Sequence, residues 1–150
     1  MYKDKVTKKA LKKATPDQLR SIALAVARFA CKRTELIDPV IEQALSELQN
    51  GRDVDPFLKK GVERVADQYA FKMREIEEER IAPITSLPDD TPLSKAYDMG
   101  FNRARAATSV LFAFHEDPFK AADKAIYEAW SALNEDILSI RKIVLSIVEK

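Results

Sequence analysis

His115 is the only histidine of the chain and stands in Phe112-Ala113-Phe114-His115-Glu116-Asp117. A carboxylate beside an imidazole can orient a general base, so Glu116 and Asp117 make this the first place to look for catalysis. No companion motif supports it. A histidine near a helix C-terminus also has a structural use, because its protonated form interacts favourably with the helix dipole; that reading is adopted. The Glu-x-x-His ligand pairs of helical two-metal proteins are absent, since Phe112 occupies the position three residues before His115. The acidic run Glu75, Glu77, Glu78 and Glu79 has no histidine beside it. It reads as a solvated helix end, and neither a metal nor another cofactor is expected.

Cys31 precedes Lys32 and Arg33. Such neighbours lower the pKa of an accessible thiol, whereas a lone cysteine more often behaves as a small buried hydrophobe. Gly-rich phosphate loops, G-x-S-x-G and Cys-x-x-Cys do not occur. No catalytic residue is assigned, and the expected function is non-catalytic.

Charge is the remaining chemistry. The net charge of +1 conceals a split: residues 1–33 hold ten Lys/Arg against two Asp/Glu, and the rest holds 15 against 22. Lys3, Lys5, Lys8, Lys9, Lys12 and Lys13 can line one side of a helix against phosphates, which makes nucleic-acid association the alternative reading. No helix-turn-helix signature follows them, and the acidic remainder would repel a polyanion. Glu75, Glu78, Glu79, Asp89 and Asp90 form the opposite group, suited to steering a basic protein partner.

The elements that must position these groups are marked by proline. Thr15-Pro16, Asp38-Pro39, Asp55-Pro56, Thr91-Pro92 and Asp117-Pro118 each place a capping oxygen before a residue whose φ is already helical. Thr15-Pro16-Asp17-Gln18 is in addition a capping box. The spacing predicts a short Lys-rich helix within 2–13 and a central helix carrying Leu19, Ile22, Ala23, Val26, Phe29 and Ala30 on one face. A segment from Thr34 to Leu48 follows, in which Pro39 either opens the helix or sits in its first turn. Asn50-Gly51 stops it.

Residues 56–81 form the longest candidate, with Leu58, Val62, Val65, Tyr69, Met73 and Ile76 in one stripe. Pro83 and Pro88 make 82–91 a loop. A helix from Pro92 to about His115 and another from Pro118 follow, with a break expected near Asn134 before Ile137 to Val148. The fold class is all-α: one helical bundle of about six to seven helices over 1–150, with the Lys-rich residues 1–14 as a segment able to pack loosely.

Residues 87–133, from Leu-Pro-Asp-Asp-Thr-Pro-Leu-Ser-Lys-Ala-Tyr-Asp-Met-Gly-Phe-Asn to Ala-Ile-Tyr-Glu-Ala-Trp-Ser-Ala-Leu, resemble the second half of certain small bacterial all-helical proteins. In those, an acidic loop precedes an Ala-rich helix, and an acidic turn leads into another Ala/aromatic helix. The run Ala23 to Ala30 is similar to their opening helix. Some such proteins are uncharacterised, and others resemble helical immunity proteins of bacterial toxin systems. The resemblance covers about two thirds of the chain, omits the Lys-rich start and carries no functional residue across.

The resulting expectation is a cytoplasmic, non-membrane helical domain that binds a protein partner. In its most concrete form it is an immunity protein neutralising a toxin domain by stoichiometric binding. The apolar width of Ile137 to Val148 adds a homodimer as an expected possibility through that segment.

Overall fold

The computed structural model describes residues 4–51, 55–78, 92–134 and 136–149, the side chains of 73, 74, 76–78, 92–94 and 96 aside. Those residues form α1 (Lys5–Lys13), α2 (Pro16–Arg33), α3 (Pro39–Gln49), α4 (Pro56–Glu78), α5 (Pro92–Ala113), α6 (Pro118–Ala132) and α7 (Ile137–Val148). The architecture is all-α, as expected, and no strand occurs among the described residues. No described helix is long and apolar enough to cross a membrane. The loop expected at 82–91 lies outside the described residues.

Helices start where side-chain oxygens meet orphan backbone N–H groups. Thr15 and Gln18 complete a reciprocal capping box. Asp38 accepts from the Val40 N–H at 2.8 Å, Asp55 from Phe57 at 2.8 Å and Asp117 from Lys120 at 3.1 Å. Two further caps carry no proline signal: Asp4 accepts from Thr7 and Asp136 from Ser139.

The end of α2 settles the position of Pro39. Glu35 adopts a left-handed φ of 55°, the Leu36 N–H returns to the Cys31 carbonyl at 2.9 Å, and the Glu35 N–H to Lys32 at 3.2 Å. This double bond pattern closes a helix, and it buries Leu36 just beyond the stop. Of the two readings of Pro39, the first holds: Pro39 opens the helix and does not sit within the first turn of one begun earlier. Gly51 at φ 67° ends α3, and Asn134 at φ 53° separates α6 from α7.

The core is built by α2, α5 and α6. Ile22, Val26 and Ala30 of α2 are fully buried, together with Ala106, Ala107 and Val110 of α5 and Ala122, Ala125, Ile126 and Ala129 of α6. Alanine at so many contact positions lets the three axes approach closely. Helix α4 packs on α5, and α3 on α4. Gly61 makes the latter contact possible: a Cβ there would stand 2.9 Å from Val40 Cγ1.

Thr7, Ala10 and Leu11 are buried, and α1 lies against α7. Helix α7 packs on α1, α2 and α6, which buries Ile140 and Val144 and half-buries Ile137, Ile143, Leu145, Ile147 and Val148, whereas Leu138 stays exposed.

Candidate functional site

Helix α4 presents two faces. Leu58, Val62, Val65 and Tyr69 belong to or pack against the core. Positions 57, 64, 68, 71 and 75 advance by seven, four, three and four residues, which keeps them on one side of a helix. That side carries Phe57, Arg64, Gln68, Phe71 and Glu75. Phe57 is 83% exposed and Phe71 59%. A recess of about 460 Å3 runs beside Phe57, Gly61 and Arg64, with Val40 and Gln43 of α3 as its other wall. A shallower depression of about 610 Å3 follows Arg64, Asp67, Gln68 and Phe71 to Glu75.

Exposed aromatics that end in neither core nor cap are the groups that anchor protein interfaces. Neither phenylalanine was a candidate on sequence grounds. The available signal was their absence from the core stripe: Phe57 directly precedes Leu58, and Phe71 lies two residues past Tyr69.

Of the expected acidic group, Glu75 is exposed on α4. Glu78 falls in the last turn of that helix with its side chain outside the described set, and Glu79, Asp89 and Asp90 lie outside the described residues altogether. Among the described residues only Glu75 joins this face.

The lysines share a helix face. Lys5, Lys9, Lys12 and Lys13 are exposed on α1 and Lys8 is half-buried, opposite the buried Thr7, Ala10 and Leu11. Lys3 lies outside the described residues. Asp4 fixes the helix from below by capping it and by pairing with Arg141 of α7. Arg103 and Arg105 of α5 are engaged within the fold. Arg105 donates to Glu128 of α6 at 3.0 Å, and Arg103 to the Thr34 carbonyl at 3.1 Å.

His115 serves the turn after α5. Its Nδ1 accepts from the Asp117 N–H at 3.0 Å, and the carbonyls of His115 and Glu116 accept from the two ends of the Arg20 guanidinium. A ring nitrogen that accepts from the backbone is not held by a carboxylate, so the oriented-base geometry is not formed.

Cys31 is buried, and burial pushes its thiol up to about 12, with the negative charge of Glu42 adding to the effect. Lys32 and Arg33 do not produce the lowered pKa that their sequence position allows. Among the described residues no three His, Cys, Asp or Glu side chains are placed to hold a metal ion. No protein-family model, curated protein or solved structure matches the chain.

Proposed function

We propose that this chain is a non-catalytic protein-binding helical domain that acts by stoichiometric occupation of its partner. Its most concrete form is an immunity protein that neutralises a toxin domain. The observation that supports the reading is the outward face of α4, with Phe57 and Phe71 exposed on the same side as Arg64, Gln68 and Glu75. Two aromatic anchors within a ring of mixed charge offer both desolvation and register, the combination that specific protein interfaces use.

The test is paired affinity capture with the wild-type chain and a Phe57→Ala/Phe71→Ala/Glu75→Lys variant of unchanged helicity. A stoichiometric protein held by the first and lost by the second supports the reading, and a toxin domain in that band supports its narrower form. Equal capture by both proteins removes α4 as the site.

The lysine face of α1 favours a second reading, association with nucleic acid. Binding to a fluorescent oligonucleotide should weaken steeply with salt and disappear in a Lys5→Glu/Lys9→Glu/Lys12→Glu variant. Salt-insensitive binding, or binding retained by that variant, counts against it.

A further inference from the structure

We infer that the lysine face of α1 holds double-stranded DNA by its phosphates alone, without regard to sequence. This inference rests on the nucleic-acid reading of α1 and names the form bound and the mode of contact. Successive helical residues turn by about 100° and rise by about 1.5 Å, so Lys5, Lys9, Lys12 and Lys13 fall within about 100° of arc and about 12 Å of axis. All four are exposed, and the buried Thr7, Ala10 and Leu11 lie on the opposite side. Lys8 is half-buried and engaged within the fold, so it is left out of the count.

Nothing within the helix offsets this charge. Helix α1 contains no carboxylate. The acid at its start, Asp4, has a side chain only 7% exposed and is paired with Arg141. Carboxylates enter on the neighbouring elements, toward one end. Asp4 meets Arg141 at the start of α1, and Gln18, just past its end, donates to the Ile147 carbonyl at 3.5 Å, so α1 and α7 run in the same direction. Exposed Asp17 and Glu149 therefore lie toward the end that carries Lys13. Lys13 is the most offset of the four, and Lys5, Lys9 and Lys12 are the principal contacts.

The residue types name the partner. Lysine is a hydrated point charge on a flexible stem, suited to a phosphate, and the planar two-point donors that read base edges, Arg, Asn and Gln, are absent from α1. Sites for single strands add aromatic side chains on which bases stack, and α1 has none. A duplex presents one charge per about 1.7 Å of its axis, so about 12 Å of helix faces about seven phosphates, twice the number on one strand. The hydroxyl and amide side chains that would engage the 2′-OH of RNA are also missing from this face, since Thr7 is buried.

Fluorescence anisotropy with the full chain and labelled DNA of about 20 base pairs reads the mode. Two duplexes of unrelated sequence should bind within about twofold of each other. With three to four phosphates neutralised, log affinity against log salt should have a slope between about −2.7 and −3.6, a loss of about 40- to 150-fold from about 50 to 200 mM salt. Lys5→Gln, Lys9→Gln and Lys12→Gln should each reduce that slope by about 0.9, with circular dichroism as the control for helix content. One strand of the same DNA should bind at least about threefold more weakly, and an RNA duplex of the same sequence no more tightly.

A preference of more than about tenfold between the two DNA sequences overturns contact by phosphates alone. A single strand held as tightly as the duplex, or an RNA duplex held more than about threefold tighter, overturns the choice of form. In each of these cases the nucleic-acid reading stands. A salt slope unchanged in all three lysine variants, or no binding of any probe at about 50 mM salt, overturns both the inference and the reading beneath it.

Discussion

Asp4 and Arg141, 137 residues apart in sequence, meet in a two-point ion pair that ties α1 to α7. Arg141 Nε donates to Asp4 Oδ2 at 3.1 Å, and its Nη2 donates to Oδ1. The same carboxylate caps α1, and its side chain is only 7% exposed. Arg141 beside it, reinforced by Thr7, holds the acid down to about 2 from an ordinary 3.8.

A carboxyl group whose pKa falls on folding stabilises the native state above its unfolded pKa, and loses that contribution as pH drops through the folded value. Urea unfolding of the wild type should therefore lose about 1–2 kcal/mol between roughly pH 4 and pH 2, after allowance for the part-exposed guanidinium. Asp4→Asn, which keeps a capping oxygen, should be less stable at neutral pH and should lack this component of the acid slope. Identical acid slopes in the two proteins would separate Asp4 from the effect.

Cys31 gives the opposite limb. Its thiol is raised from 9.0 to about 12, so the unfolded chain releases that proton first as pH rises. Stability should fall across this window in the wild type relative to Cys31→Ala. At neutral pH, alkylation of Cys31 should proceed only as fast as the protein opens. Rapid labelling of the native state would contradict the burial.

Gly61→Ala sets a helix-propensity gain of about 1 kcal/mol against a contact too short to keep. With Val40 Cγ1 at 2.9 Å from the new Cβ, the clash should win, for a net loss of about 1 kcal/mol. In a Val40→Ala background the same change should become stabilising by about 0.5–1 kcal/mol. Chemical denaturation of the four proteins of the cycle decides it.

Glu35 occupies a left-handed conformation that disfavours a residue with a Cβ. Glu35→Gly should raise stability by about 0.5–1 kcal/mol, and more than Asn134→Gly does, because asparagine tolerates that region better. Thermal midpoints of the two variants make the comparison.

The starts of α2, α3, α4 and α6 were legible because each depends on neighbouring residues, a capping oxygen and then a proline, whereas those of α1 and α7 carry no such pair. Asp38 and Asp117 show the rule working. The stop at Glu35 was not legible, since nothing about a glutamate advertises a left-handed turn; its hydrogen bonds to Lys32 and Cys31 follow from Leu36 finding the core. Long-range ties were invisible for a related reason. Arg20 reaches the carbonyls of His115 and Glu116 across some 95 residues, and a backbone acceptor leaves no trace in residue type. The width of α7 was readable, but its pairing with α1 was not, because a contact between helices at the two ends of the sequence leaves no mark in residue type. For the candidate site, charge alone singled out Glu75, whereas the aromatic anchors beside it required knowing which side of α4 the core takes.

Helix α1 docks on α7 from the far end of the sequence, and this orders events in time. A contact across so long a stretch closes a larger loop than the pairs of helices adjacent in sequence, so the seating of α1 should come late in folding. Nine residues are too few to keep a helix formed without the surface that holds it. In the native ensemble α1 should accordingly open by itself, its amides exchanging with solvent well before those of α2 or α5, and each opening briefly uncovers the flank of α7 that it shields.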